Sequence, residues 1–191
     1  MVSPTLPPLS SLSEPSSPAL ANFLSTLLEP TPILLEKLVP RLAESLSSDP
    51  PHAYRDVLDR GQGIMVEQWT LEDQSVFIGG HPRIGEGDIL SELSKKEQGA
   101  TGAPTSQATL DRLRDLNTSY EELFPGLRYI TFVNGRSRAA IIPEMETQIR
   151  VGTPDEKRVR PAGSEEWKSE VKRAVDDVWK IGQSRLKVLL N

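Results

Sequence analysis

The chain contains no cysteine and only two histidines, His52 and His81. Without cysteine there is no disulfide framework, no thiolate zinc site and no Cys nucleophile, which fits a reducing compartment. No apolar run approaches the roughly 20 residues of a membrane-spanning helix. The first residues lack the charged region and apolar stretch of a secretory signal. The last ones, Val188-Leu189-Leu190-Asn191, are not the Ser-Lys-Leu peroxisomal address, so a cytoplasmic location is the expectation. Positive charge is also in deficit: net -5 with a pI near 5.2 gives no reason to expect a nucleic acid or membrane partner. Phosphate-binding loop, dinucleotide fingerprint and Gly-x-Ser-x-Gly elbow are all missing.

What is present suits one globular domain with a sizeable core: 191 residues, 37% hydrophobic and 26% charged. Residues 1–17 are rich in proline and serine and read as an irregular arm. Ser17-Pro18 has the form of a cap followed by a first-position proline, and Leu20, Phe23, Leu24, Leu27 and Leu28 follow at helical spacing. Glu29-Pro30-Thr31-Pro32 ends that helix and caps the next, which Pro40 is expected to kink or split. Asp49-Pro50 reads as a second cap-plus-proline before Tyr54, and Gly61 and Gly63 weaken the helix that follows. Thr70 to Asp73 resembles a capping box, and Gly79-Gly80 a helix end.

Gly99 to Ser106 reads as a linker, followed by an amphipathic helix carrying Leu110, Leu113, Leu116, Tyr120 and Leu123 and stopped by Pro125-Gly126. On pattern alone, Leu127 to Val133, Asn134-Gly135 and Ala139 to Ile142 form a β-hairpin. A polar loop over 151–163 leads to a final helix from Ser164 to about Leu189. The total is seven or eight helices, an all-α bundle over 18–191.

His81 stands between the Gly-Gly break and Pro82, which restricts it to extended backbone. An imidazole at the edge of a helical core is a candidate general base, although a lone histidine after a helix is more often a polar plug that satisfies backbone groups. Ser94-x-x-Glu97 has the form of a capping box, and a helix start also suits an anionic or carbonyl-bearing ligand. Gln98 adds an amide that donates and accepts. Glu86 and Asp88 lie near His81, but with no second histidine and no ligand spacing a metal site is not expected. Arg185 reads either as a partner for helix C-terminal carbonyls or as a guanidinium fork for a carboxylate or ureido group. Arg136-Ser137-Arg138 and Lys157-Arg158-Val159-Arg160 read as solvated surface or a small-anion site. Trp167, Trp179 and Tyr120 read as core.

In order along the chain, His81-Pro82, Ser94-x-x-Glu97-Gln98, Leu116-Asn117-x-x-Tyr120 and the apolar segment ending Asn134-Gly135-Arg136-Ser137-Arg138 resemble one family. It is the 2-oxo-4-hydroxy-4-carboxy-5-ureidoimidazoline (OHCU) decarboxylases of urate degradation. Val178-Trp179-Lys180-Ile181-x-x-x-Arg185-Leu186 is similar to that family's last helix, and Phe23-Leu24-x-x-Leu27-x-Glu29-x-Thr31-Pro32 to its first. Where the family usually has His-Pro-Asp-Leu this chain has His-Pro-Arg-Ile, a shorter connection to the serine block and a longer loop at 151–163. These departures suggest a divergent, fungal-type branch.

The resemblance implies an all-α fold in which the hairpin pattern is replaced by an extended stretch near 127–134, with a helix from Ser137 onward disturbed by Pro143. It implies cofactor-independent decarboxylation of OHCU to (S)-allantoin, with no metal and a homodimer suggested. By the family pattern His81, Glu97 and Arg185 are catalytic. His81 is the acid–base group, Glu97 holds ring or ureido N–H groups, and Arg185 binds an electron-rich oxygen. Ser94 and Gln98 bind carbonyl and amide edges, and Pro82 shapes the pocket. Tyr129, Ile130, Thr131, Phe132 and Val133 supply free backbone amides and carbonyls. Two competing readings are a non-catalytic helical binding module that kept the fold, and a hydrolase of a related ureido ring using His81 to activate water.

Overall fold

Ser17 and Pro18 open the first helix by a simple division of labour. The Ser17 hydroxyl accepts from the Ala19 amide at 3.2 Å, and Pro18 takes the first helical position, where a missing N–H leaves nothing unpaired. The computed structural model describes residues 5–14, 17–86, 105–150 and 159–190. Among them are seven α-helices and no strand: α1 Pro18–Leu28, α2 Val39–Ser48, α3 Tyr54–Gln68, α4 Leu71–Gly79, α5 Gln107–Leu123, α6 Arg138–Arg150 and α7 Glu165–Leu190. The all-α class read from the sequence is the one observed. No helix among the described residues is long and apolar enough to cross a membrane. The chain divides into two compact units, 1–77 with 178–191, and 78–177.

In the first unit, the stretch expected to be an irregular arm carries a 3-10 turn, Leu9–Ser13, that buries Leu12. Tyr54 donates its hydroxyl to the Pro7 carbonyl at 2.7 Å, and Ser47 to that of Ser13 at 3.1 Å. The segment is divided at Pro40 as expected, the proline standing in the first turn of α2. A π turn, Leu34–Leu38, precedes it, with the Val39 N–H reaching back five residues to the Leu34 carbonyl. The wider turn accommodates the ring and the absent donor of Pro40. Thr31 caps this segment as expected, accepting from the Leu34 amide at 3.3 Å.

Asp49, in contrast, is not the cap of α3. It closes α2, and Arg60 binds its carbonyl at 2.6 Å and its carboxylate at 2.7 Å. The start of α3 is held by Asp56, which accepts from the His52 and Ala53 amides, both at 2.8 Å. An aspartate in the first helical turn competes for the same free amides as a residue ahead of it, and here it wins because it reaches two of them. Gly61 is where Trp179 lies against α3: a Cβ there would stand 3.0 Å from the indole Cη2. Thr70 and Asp73 form the expected reciprocal cap of α4, at 3.1 Å and 3.2 Å.

In the second unit, α5 starts at Ser106, whose hydroxyl accepts from the Thr109 amide at 3.2 Å. The helix ends before Pro125-Gly126, with Gly126 at φ 82°. Trp167 donates its indole N–H to the Pro125 carbonyl at 3.0 Å, and Tyr120 lies edge-on to Tyr129, ring centroids 5.3 Å apart. Asn134 and Gly135 do make a tight turn, both at positive φ (49° and 76°), closed by the Arg136 amide on the Val133 carbonyl at 3.1 Å. The chain leaves that turn as helix α6 and not as a second strand. The turn signal is local, and the partner strand that would make it a hairpin does not exist. Pro143 is retained inside α6.

Candidate active site

The turn after α4 is pinned at successive points. The His81 amide donates to the Ile78 carbonyl at 3.1 Å, and Arg128 donates to the His81 carbonyl at 2.5 Å. Asn117, on α5, donates its side-chain amide to the Ile84 carbonyl at 2.9 Å. Between them Arg83 forks onto Glu121 with Nε–Oε1 and Nη2–Oε2 distances of 2.6 and 2.7 Å, and it also reaches Glu86 at 3.0 Å. The carboxylate of Glu86 thus serves Arg83. His81 is 6% exposed, so its imidazole sits on a backbone that has little freedom to move. Pro82, beside it, is half-buried.

The segment 129–133 is equally constrained, and here the structure corrects one expectation. Its carbonyls are not all free. Arg173 Nη1 donates to the Ile130 carbonyl at 2.8 Å, and Arg136 donates to those of Phe132 and Val133 at 2.8 and 2.9 Å. Glu144 gathers the side chains: Tyr129 donates to it at 2.8 Å and Thr131 at 2.6 Å, and Arg136 pairs with its second oxygen. The amides of 129–133, in contrast, have no acceptor among the described residues. In an extended stretch successive amides point to opposite sides, so alternate N–H groups of the segment are open on each side.

Behind this segment lies a buried charged cluster. The Glu170 carboxylate accepts from Tyr120 at 2.6 Å, from Gln148 at 2.5 Å, and from Arg173 Nη2 and Nε at 2.6 and 2.9 Å. Four donors fill the acceptor capacity of one carboxylate. Arg173 Nη1 is shared between Ile130 and Asp177, the latter at 3.0 Å. Its guanidinium lies over the Tyr129 ring, 5.3 Å from the centroid. Burial alone would lower the Arg173 pKa, but the bond and charge of Glu170 outweigh it and hold the group above its ordinary value. Burial, with Glu170 beside it, pushes the Tyr120 hydroxyl up, and burial with Glu144 does the same for Tyr129. Both phenols remain protonated donors.

Sequence reading missed this cluster. Glu170, Arg173 and Asp177 are spaced like any solvated helix face, and only the 2% exposure of Glu170 reveals otherwise. Arg136 and Arg160, read as surface, are also engaged. Arg160 donates its amide to the Leu123 carbonyl at 2.7 Å and lays its guanidinium 5.2 Å from the Phe124 ring.

Arg185 belongs to the first unit and is 5% exposed. It pairs with Glu29 at 2.9 Å and donates to the Leu27 carbonyl at 3.1 Å, at the end of α1. The carbonyls it serves are thus those of another helix. Glu29 adopts φ 64°, a conformation rare for a residue with a Cβ. The remaining expected residues, Ser94, Glu97 and Gln98, together with Asp88, lie outside the described residues.

A family model described as OHCU decarboxylase matches residues 15–187. Among solved structures, this fold is similar to a crystal structure of OHCU decarboxylase in the presence of (S)-allantoin. The TM-score is 0.56 at 21% identity, covering 79% of this chain and 92% of that one. Among curated proteins, none matches significantly.

Proposed function

Since the chain belongs to the OHCU decarboxylase family, we propose that His81 and Glu97 carry its chemistry and that the 129–133 segment holds the substrate. The activity is the decarboxylation of OHCU to (S)-allantoin in purine degradation, and the family match across residues 15–187 is the observation that carries it.

The reaction breaks one C–C bond. As CO2 leaves the carboxylate, the electron pair moves into the ring and the substrate's imine nitrogen takes up a proton; the 4-hydroxyl then gives up its proton to become a carbonyl as C5 gains one. The protein's task is to hold the carboxylate out of the ring plane, stabilise charge as it enters the ring and supply that proton to one face. His81 is assigned the proton at the 4-hydroxyl and carboxylate side, supported by its pinned backbone. Glu97 holds ring or ureido N–H groups, with Ser94 and Gln98 at carbonyl and amide edges. The amides of Tyr129, Ile130, Thr131, Phe132 and Val133, which have no acceptor among the described residues, suit the ring oxygens and the ureido carbonyl. Pro82 shapes the pocket, and Arg185 is assigned an electron-rich substrate oxygen.

The test is time-resolved circular dichroism of OHCU generated in place from urate. The wild-type chain is expected to accelerate growth of the (S)-allantoin signal. Folded His81→Ala and Glu97→Ala should each lose on the order of 10²–10⁴ in rate, the usual worth of a proton-transfer group. Near-native turnover by folded His81→Ala would remove His81 from the chemistry.

A further inference from the structure

We infer that Arg173 is a positioning residue for the reaction, aiming the 129–133 amides at the substrate by holding the Ile130 carbonyl from behind. This rests on the reading of 129–133 as the substrate-holding segment. A peptide plane has its carbonyl and the next residue's N–H on opposite sides. Fixing the Ile130 carbonyl toward Arg173 at 2.8 Å therefore fixes the Thr131 N–H in the opposite direction. Arg136 does the same two and three planes later through the Phe132 and Val133 carbonyls. Arg136 is an exposed turn residue, however, whereas Arg173 is anchored on the buried Glu170 by two bonds of 2.6 and 2.9 Å. Glu170 is in turn held by Tyr120 on α5 and Gln148 on α6. The segment thus inherits its direction from three helices through a single guanidinium. The planar fork is what allows this: Nε and Nη2 engage the carboxylate while Nη1 points away toward Ile130.

A lysine at 173 keeps the charge beside Glu170 but cannot form the fork and hold Ile130 in fixed relative directions. The experiment compares wild type, Arg173→Lys and Gln148→Ala in steady-state decarboxylation of OHCU, in thermal melting, and in hydrogen exchange of residues 129–133 with and without (S)-allantoin. Gln148→Ala breaks a bond to the same Glu170 without touching the segment, so it reports the purely structural share of the cluster. The expected result is (S)-allantoin-dependent protection of 129–133 in wild type. In Arg173→Lys, KM should rise and kcat/KM fall roughly tenfold, about 1.4 kcal/mol, with that protection lost. Gln148→Ala should lower the melting temperature and raise KM by far less than Arg173→Lys does.

If wild-type 129–133 gains no protection from (S)-allantoin, the substrate-segment reading falls and the inference with it. If protection is present in wild type and Arg173→Lys keeps wild-type KM and kcat, the segment reading stands and the positioning role is overturned. Equal KM changes in Arg173→Lys and Gln148→Ala also overturn it, leaving a structural cluster. Should Arg173→Lys fail to fold, Asp177→Asn weakens the other acceptor of the same Nη1 with Glu170 still paired. It is expected to raise KM by about two- to fivefold (under about 1 kcal/mol), and an unchanged KM there counts against the role.

Discussion

Arg83 holds Glu121 at two points, 2.6 and 2.7 Å. The bonds to Glu121 and then Glu86 hold the Arg83 guanidinium above its ordinary pKa. The fork ties the residues after His81 to α5.

Reversing the charge at 83 should therefore be harmful. Arg83→Asp sets a third carboxylate beside Glu121 and Glu86, and both partners are partly exposed, so the cost is about 1 kcal/mol. The expected fall in melting temperature is roughly 2–4 °C for a chain of this size. Adding Glu121→Lys should recover most of it. A melting temperature unmoved by Arg83→Asp would mean that the pair does not order the turn.

Gly182 lies one helical turn before Arg185, and a Cβ there would sit 2.6 Å from Leu28 Cδ2. Gly182→Ala is expected to cost about 1–3 kcal/mol by overpacking, read by urea denaturation. It should also reduce turnover, because the helix that carries Arg185 must back away from α1. Stability without loss would show that Leu28 swings aside freely.

Glu29 combines a buried ion pair with a strained backbone. Glu29→Ala leaves the Arg185 guanidinium, 5% exposed, without its carboxylate, and such losses are worth about 3–5 kcal/mol. Glu29→Gly loses the same carboxylate but accepts φ 64° without penalty. The glycine variant should be the more stable of the two by about 1 kcal/mol. If alanine proves equal or better in denaturant titration, the strain is not real.

Arg185→Lys asks whether the fork matters to chemistry. A point charge does not replace a planar donor pair, so kcat/KM for OHCU should fall at least about tenfold. Unchanged kinetics would take Arg185 out of the site.

Glu144 supplies a pH test. Burial would raise its pKa, but bonds from Thr131, Arg136 and Tyr129 outweigh that and hold it below the ordinary value. A depressed carboxylate stabilises the fold above its unfolded pKa of about 4.3, and that contribution disappears as pH falls through the lower folded value. Wild type should therefore exceed Glu144→Gln in stability by a constant margin above about pH 5, with the margin shrinking below about 4.3. A margin independent of pH down to about 3 would assign the loss to packing instead.

The legible part of the fold was its local punctuation. Ser17-Pro18, Thr31, the Thr70–Asp73 pair and the Pro125-Gly126 stop act within a few residues, and each does what its chemistry suggests. Asp49 misled because a cap-like residue can serve a distant partner, here Arg60, as well as its own amides. Asn134-Gly135 misled because turn geometry does not dictate whether the chain leaves the turn as strand or as helix. In the candidate site, His81 and Pro82 stood out through scarcity and backbone restriction. Glu144 and the Glu170–Arg173 pair did not, since charges at helical spacing look the same whether they meet water or a buried partner.

Leu34, Leu38, Leu42 and Leu46 are each fully buried at four-residue steps. In a regular α-helix such steps drift by about 40° each, since the helix advances about 100° per residue. The π turn at Leu34–Leu38 takes up that drift by carrying one residue more than a plain helix needs. Leu35, Glu36 and Lys37 are all exposed, with Lys37 paired to Asp73 and lying over the Trp69 ring. Removing one residue would return this turn to plain α-helical geometry, so it is the place where the segment can lose a residue with the least disturbance to Val39–Ser48.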